Sequence, residues 1–402
     1  MKTSLTLTAA TLSIALMGCQ SDQSSTPTPP LSSQDPLALA QEMIIADTHV
    51  DLPYRLEANY ENVLEPTTTG DFDFPRARSG GLNAPFMSIY TPAGLEFAEE
   101  DTSKENADQL IDMIEALVAQ APDQMAIVRS WSELEVTVAE GKLALPLGME
   151  NGSPIEGDLA NLQYFYDRGI RYITLAHSRS NHIADSSYDP ERPAGGLTEF
   201  GETVIREMNR LGIMVDISHV SDEAFYDVLE VTSKPVIASH SSARHFTPGF
   251  ERNMSDEMIT ALGEQGGVIF INFGSAFLTE AANNYGPQLR ESLANAGITD
   301  SDSEEAIAFV EQWKLANPYP YATLEDVLDH IDHAVALAGI NAVGIGSDYD
   351  GVDDTLPVGL KDVSSYPNLI EGLLGRGYSV EDIEKIMSGN LKRVWLEVEQ
   401  EA

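Results

Sequence analysis

His49 and Asp51 stand two residues apart at the end of an apolar run that opens at Ile44. On an extended chain positions i and i+2 point the same way, so one imidazole and one carboxylate can hold a single cation from one strand end. The same spacing recurs at His330 and Asp332, but inside the helical pattern Asp329-His330-Ile331-Asp332-His333, where i and i+2 diverge. His330 and His333 therefore read as helix-surface or packing residues. Glu150 directly follows the run Leu143 to Met149. A carboxylate there is costly to bury unless it meets a charge, and its two oxygens can serve two metals. His219 closes Val215-Asp216-Ile217-Ser218 and His240 closes Val236-Ile237-Ala238-Ser239, so both runs read apolar, Ser, His. His177, after Ile173-Thr174-Leu175-Ala176, could be a further ligand or could donate to a developing oxyanion. Asp348, in Gly344-Ile345-Gly346-Ser347-Asp348-Tyr349-Asp350-Gly351, could pass a proton from water to a leaving amine, with Asp350 as its rival. Arg244 and Arg252 could each grip a substrate carboxylate bidentately.

Eight short apolar runs carry these residues: Ile44 to Ala46 leading into His49, Pro85 to Tyr90, Leu143 to Glu150, Tyr172 to His177, Ile213 to His219, Pro235 to His240, Val268 to Asn272, and Ala342 to Asp348. Amphipathic stretches alternate with them at 106–119, 159–168, 199–211, 222–230, 255–263 and 324–338. That alternation predicts a parallel sheet covered on both faces. An open doubly wound sheet would usually show a glycine-rich phosphate loop after its first strand, and Asp47-Thr48-His49-Val50-Asp51 is nothing of the kind. The expectation is an α/β fold, a (β/α)8 TIM barrel, whose strand ends converge on one face and gather residues far apart in sequence. Residues 276–320 lack a strand signal and read as an insertion between the seventh and eighth strands. Two C-terminal helices, near 367–374 and 379–398, close the domain.

The chain has 402 residues, enough for one barrel with insertions. With 64 acidic against 23 basic residues its formal net charge is -41, which argues against nucleic acid as a partner and for a heavily hydrated surface. Residues 1–18 have the shape of a signal peptide, Lys2 followed by an apolar stretch from Leu5 to Met17, too short to span a bilayer stably. Cys19 is the only cysteine, so no intramolecular disulfide forms. Leu16-Met17-Gly18-Cys19 resembles a bacterial lipobox, which makes Cys19 the lipidation site and a lipid bilayer a partner. Residues 19–36 are then a lipidated flexible tether rich in Ser, Thr, Pro and Gln, and 37–402 the catalytic domain. The expected location is the bacterial cell envelope, on its periplasmic or extracellular face.

The set His49-x-Asp51, Gly148-Met149-Glu150-Asn151-Gly152, Thr174-Leu175-Ala176-His177, Val215-Asp216-Ile217-Ser218-His219-Val220-Ser221, Ser239-His240-Ser241-Ser242-Ala243-Arg244, Arg252-Asn253-Met254 and the glycine-rich segment around Asp348 resembles the membrane (renal) dipeptidase family. The resemblance spans roughly residues 38 to 395. It implies a zinc-dependent dipeptidase of the amidohydrolase-barrel type with two Zn2+ per chain. His49 and Asp51 would bind one zinc, His219 and His240 the other, and Glu150 would bridge them. His177 would contact the substrate near its scissile carbonyl, Arg252 its carboxylate, and Asp348 the reacting amine. A hydroxide held between the cations would attack the peptide bond of a dipeptide substrate. A related hydrolase acting on N-acyl amino acids, lactams or lactones is the alternative, as is a metal- or peptide-binding lipoprotein without turnover. Homodimer formation is compatible with this reading, and His182 is left unassigned.

Overall fold

The computed structural model describes residues 35–400. The signal peptide, Cys19 and nearly all of the tether lie outside the described residues. The first described element is a short helix, Pro36–Glu42, which starts one residue before the expected start of the domain. Among the described residues no helix is long and apolar enough to cross a membrane.

Eight strands form one parallel sheet in chain order. They are β1 (Ile45–Val50), β2 (Leu82–Tyr90), β3 (Leu147–Glu150), β4 (Ile170–Thr174), β5 (Met214–Asp216), β6 (Ile237–Ser241), β7 (Val268–Ile271) and β8 (Val343–Ile345). All are buried along nearly their whole length, which is why their sequences are continuous apolar runs without polar alternation. The sheet curls back on itself where Val50 bridges Tyr349, and Asp51 N donates to the Tyr349 carbonyl (2.8 Å). This is the (β/α)8 barrel. Helices on its outside start where Ser or Thr supplies a cap: Thr198 for Glu199–Leu211, Ser221 for Asp222–Val231 and Ser255 for Asp256–Glu264. The C-terminal helix Asn390–Glu399 lays Leu391, Val394, Trp395 and Val398 against strand-start residues such as Ala46, Ala84, Met214 and Val268, plugging the end opposite the site.

Three details differ from the sequence reading. Leu143 to Glu150 is two strands, because Pro146 has no N–H to continue a ladder. Leu143–Leu145 pairs with Met125–Ile127 in a separate two-stranded sheet, and only the part after Pro146 enters the barrel. β2 starts at Leu82, upstream of Pro85, which keeps its place opposite Asp47 of β1. The last helical region is broken into Val380–Glu384, a π-turn Lys385–Gly389 and the C-terminal helix. The stretch after β7 contains helices only, Ser275–Leu278, Glu280–Asn283, Tyr285–Asn295 and Glu304–Ala316, in keeping with its missing strand signal.

Candidate active site

Parallel strands in a closed barrel bring their C-terminal ends to one mouth, and there the separated residues meet. β1 delivers His49 and, one residue beyond its end, Asp51; β3 ends on Glu150; His219 follows β5, and His240 lies within β6. All five are buried. Glu150 is at the centre. Its Oε2 is 3.5 Å from His49 Nε2, while its Oε1 is 3.2 Å from both His219 Nε2 and His240 Nε2 and 3.4 Å from His177 Nε2. Asp51 Oδ2 lies 3.3 Å from His49 Nε2, and Asp348 groups with His49 and Asp51 within 4.8 Å.

Hydrogen bonds behind the imidazoles set which nitrogen faces inward. The Tyr172 hydroxyl donates to the Thr48 carbonyl (3.0 Å), so its oxygen accepts from His49 Nδ1–H (2.9 Å). The Ser239 hydroxyl donates to buried Asp216 (2.6 Å) and accepts from His240 Nδ1–H (2.7 Å). Both rings therefore turn Nε2 toward Glu150. At His49 burial opposes a charge on the ring, but Tyr172, Asp51 and Glu150 outweigh it and raise its proton affinity well above the ordinary imidazole range, so a cation at Nε2 is favoured there. His49 Nε2 is buried without a hydrogen-bond partner, and the Nε2 atoms of His219 and His240 approach to 2.8 Å. Electron pairs of several imidazoles thus crowd an acidic carboxylate, an arrangement that a positive charge between them relieves. The residues fit metal ions. Burial holds His219 and His240 well below the usual imidazole range. Burial opposes ionisation of Glu150, but the surrounding imidazoles together, His49 and His177 foremost and then His219 and His240, keep that carboxyl well below its ordinary value.

A match to the family model "Membrane dipeptidase (Peptidase family M19)" covers residues 34–402. Dipeptidase 3 of Mus musculus is 33% identical over 380 residues, 92% of this chain and 68% of the relative. The chain belongs to the membrane dipeptidase family. Among solved structures, the probable dipeptidase PvdM from Pseudomonas aeruginosa superposes with a TM-score of 0.81 at 26% identity, covering 92% of this chain and 98% of that one. Dipeptidase AC, a metallopeptidase, gives 0.73 at 25% identity over 89% of this chain and 98% of its own. The protein is thus a dipeptide-hydrolysing enzyme of a metallopeptidase family.

The mouth of this dipeptidase is a cavity of about 450 Å³ lined by Asp51, Glu150, His177, His219 and Asp348 and walled by Tyr54, Tyr90, Tyr188 and Phe277. Its size suits a small ligand. Phe277 comes from the start of the excursion after β7, so that segment does shape one wall. Asp348 follows β8 with φ 64, accepts from Asn272 Nδ2 (2.7 Å), and is pushed up to about 8 by burial and the Asp51 charge. Gly351 closes the turn, where any Cβ would overlap carboxylate oxygens of Asp51 and Asp348. Asp350 does not share this mouth. It faces a second cavity, paired with Arg55 (3.3 Å) and with the Asp71 backbone N–H (2.5 Å).

Arg252 is buried beside β6, donating from Nη1 to Ser241 Oγ and from Nη2 to the His240 carbonyl (both 2.7 Å), with Nε unpartnered. Arg244 is instead spent on Asp222, at 2.7 and 2.6 Å. His182 pairs with Glu96 (3.0 Å) outside the cavity lining. His330 is a satisfied core histidine: its Nδ1 accepts from Ala243 N (3.0 Å) and its Nε2–H donates to the Leu278 carbonyl (2.9 Å). The sequence reading gave no role to Tyr172, Asn272 or the aromatic wall. Asn272 was open to the same strand-end logic that singled out Asp348, whereas a tyrosine inside an apolar strand reads only as core.

Proposed function

We propose that this enzyme is a zinc dipeptidase in which His49 and Asp51 would hold one Zn2+ ion, His219 and His240 a second, and Glu150 would serve both. The observation that carries the reading is the division of the Glu150 carboxylate, one oxygen toward His49 and the other toward His219 and His240. Imidazole and carboxylate donors suit zinc. When bound, the pair would polarise the scissile carbonyl and supply a nucleophile from water at neutral pH. The chain's residues do the rest. His177 donates to the carbonyl oxygen as it gains charge. Asp348, whose burial gives it high proton affinity, takes a proton from the attacking water and delivers it to the departing amine. Arg252, 5.4 Å from the ring of the cavity residue Phe277 and with its Nε unpartnered, would draw the substrate's terminal carboxylate to that side of the mouth, which would favour very short peptides. The aromatic wall excludes bulk water from the cavity. With Cys19 lipidated, residues 20–36 would tether the catalytic domain to the envelope membrane.

The test is metal analysis of the purified domain joined to a hydrolysis assay on dipeptides, N-acyl amino acids and lactams. Two zinc equivalents lost on substitution within the catalytic cluster, dipeptide turnover lost on chelation and recovery with added zinc are expected. Turnover that survives complete metal removal overturns the metal reading; faster cleavage of N-acyl amino acids or lactams overturns the substrate reading.

A further inference from the structure

We propose that His245, Asp256 and His333 form a second, independent site for a borderline divalent transition-metal ion such as Zn2+ or Ni2+, sharing no residue with the catalytic cluster. Three separate elements supply the ligands. His245 lies in the short 3-10 turn Arg244–Phe246 after β6, Asp256 opens the helix Asp256–Glu264, and His333 sits on the helix Leu324–Ala338. One donor atom from each lies within 4.8 Å of the other two. His333 Nε2 is 2.8 Å from Asp256 Oδ1, and the His245 ring stacks over that of His333 with centroids 4.5 Å apart. In the catalytic cluster the corresponding separations are 4.2 Å for His177 and His219 and 4.9 Å for His219 and His240. The outer pair lies within the same range of separations, and its donor atoms, with Asp256, are close enough for one ion to reach all three.

The ordinary alternative is an ion pair between two helices. It accounts for the His333–Asp256 contact, and stacking on His333 and edge contact with Phe246 hold the His245 ring, but neither calls for a His245 nitrogen to lie within ligand distance of Asp256. Two imidazoles and one carboxylate favour zinc, nickel or copper over magnesium or calcium, and leave an open position for water. The frame is already fixed. One turn before His333, His330 accepts from Ala243 N, docking the helix against the loop that holds His245. Ser255 caps the helix that begins with Asp256, accepting from Met258 N at 3.3 Å. A metal here would staple the loop between Ala243 and Met254, which also carries Arg252, to both helices.

The experiment uses the enzyme with its catalytic metals in place, dialysed against micromolar free Zn2+ and then analysed for metal content. Wild type is expected to retain one equivalent more than His245→Ala and one more than His333→Gln, with dipeptide hydrolysis equal in all three. A thermal midpoint that rises with Zn2+ in wild type and not in either variant supports the same staple. Because His245 is exposed, its substitution leaves the fold intact, so that variant decides the matter even where His333→Gln is unstable. Equal metal content in wild type and His245→Ala overturns the proposal.

Discussion

The position of one proton decides what His49 can bind. With Nδ1–H donated to Tyr172, which donates onward to the Thr48 carbonyl, the ring has no choice but to present Nε2 to Asp51 and Glu150. Tyr172→Phe keeps the ring that fills the barrel interior beside Gly148 but deletes the acceptor. Metal affinity is expected to fall by about 10- to 100-fold, the usual effect of losing such a supporting partner. Competition with a chromophoric chelator measures it, and an unchanged affinity would show that the hydroxyl has no say in the tautomer. Asp348 is the complementary case, since its carboxyl is needed for proton movement while metal is held mainly by others. Asp348→Asn should lower kcat by a factor on the order of 10² to 10⁴ with metal content near wild type, as steady-state kinetics and elemental analysis would report. A variant with normal kcat removes Asp348 from the proton path. Asp350 is no substitute, because its side chain is turned into the Arg55 cavity.

At the scale of elements, the site is made by how strands end. His219 (φ 72) and Asp348 (φ 64) adopt left-handed backbone just past β5 and β8, at a cost of about 1–3 kcal/mol each. Neighbours hold them there: Ser187 N donates to the His219 carbonyl (2.7 Å), and Asp348 N to the His49 carbonyl (3.1 Å). Such turns were legible as places, because an apolar run that stops at His, Asp or Glu marks a strand end, but not as conformations. The division at Pro146 was hidden for a related reason. Leu143–Leu145 and Leu147–Glu150 are equally buried, so burial pattern alone does not say which sheet each joins. The helix Leu324–Ala338 was legible throughout, and His330 within it yields a pH prediction. Burial pushes its pKa down from 6.5 to about 4, so the folded state keeps it neutral while the unfolded chain protonates it. Its contribution to stability is whole above about pH 6.5 and is shed as pH falls toward 4, on the order of 3 kcal/mol in all. Urea denaturation from pH 7 to pH 4 should show that slope in wild type and lose it in His330→Gln; an equal slope in both assigns the pH dependence to other groups.

For the whole molecule, strand-helix alternation made the barrel readable, since eight buried runs in one direction admit few other closures. What folding alone supplies is the set of partners from distant loops, such as Phe277 against Arg252 and Asn272 against Asp348. Charge belongs to this scale as well. Several arginines are committed to clusters of acids, Arg376 to Glu325, Asp329 and Asp332, and Arg168 to Asp108 and Asp112. With 64 acidic residues against 23 basic, carboxylates far outnumber cations and repel one another across the surface. Salt shortens the reach of that repulsion, from about 10 Å at 0.1 M to about 3 Å at 1 M. The thermal midpoint should therefore rise with KCl, by no more than about 2–4 °C for each kcal/mol of repulsion relieved. Sucrose at matched osmolarity, which screens nothing, separates screening from general exclusion of solute. A midpoint that stays level in KCl, or that rises equally in sucrose, would mean that the surplus carboxylates are too well hydrated and too widely spaced to strain the fold.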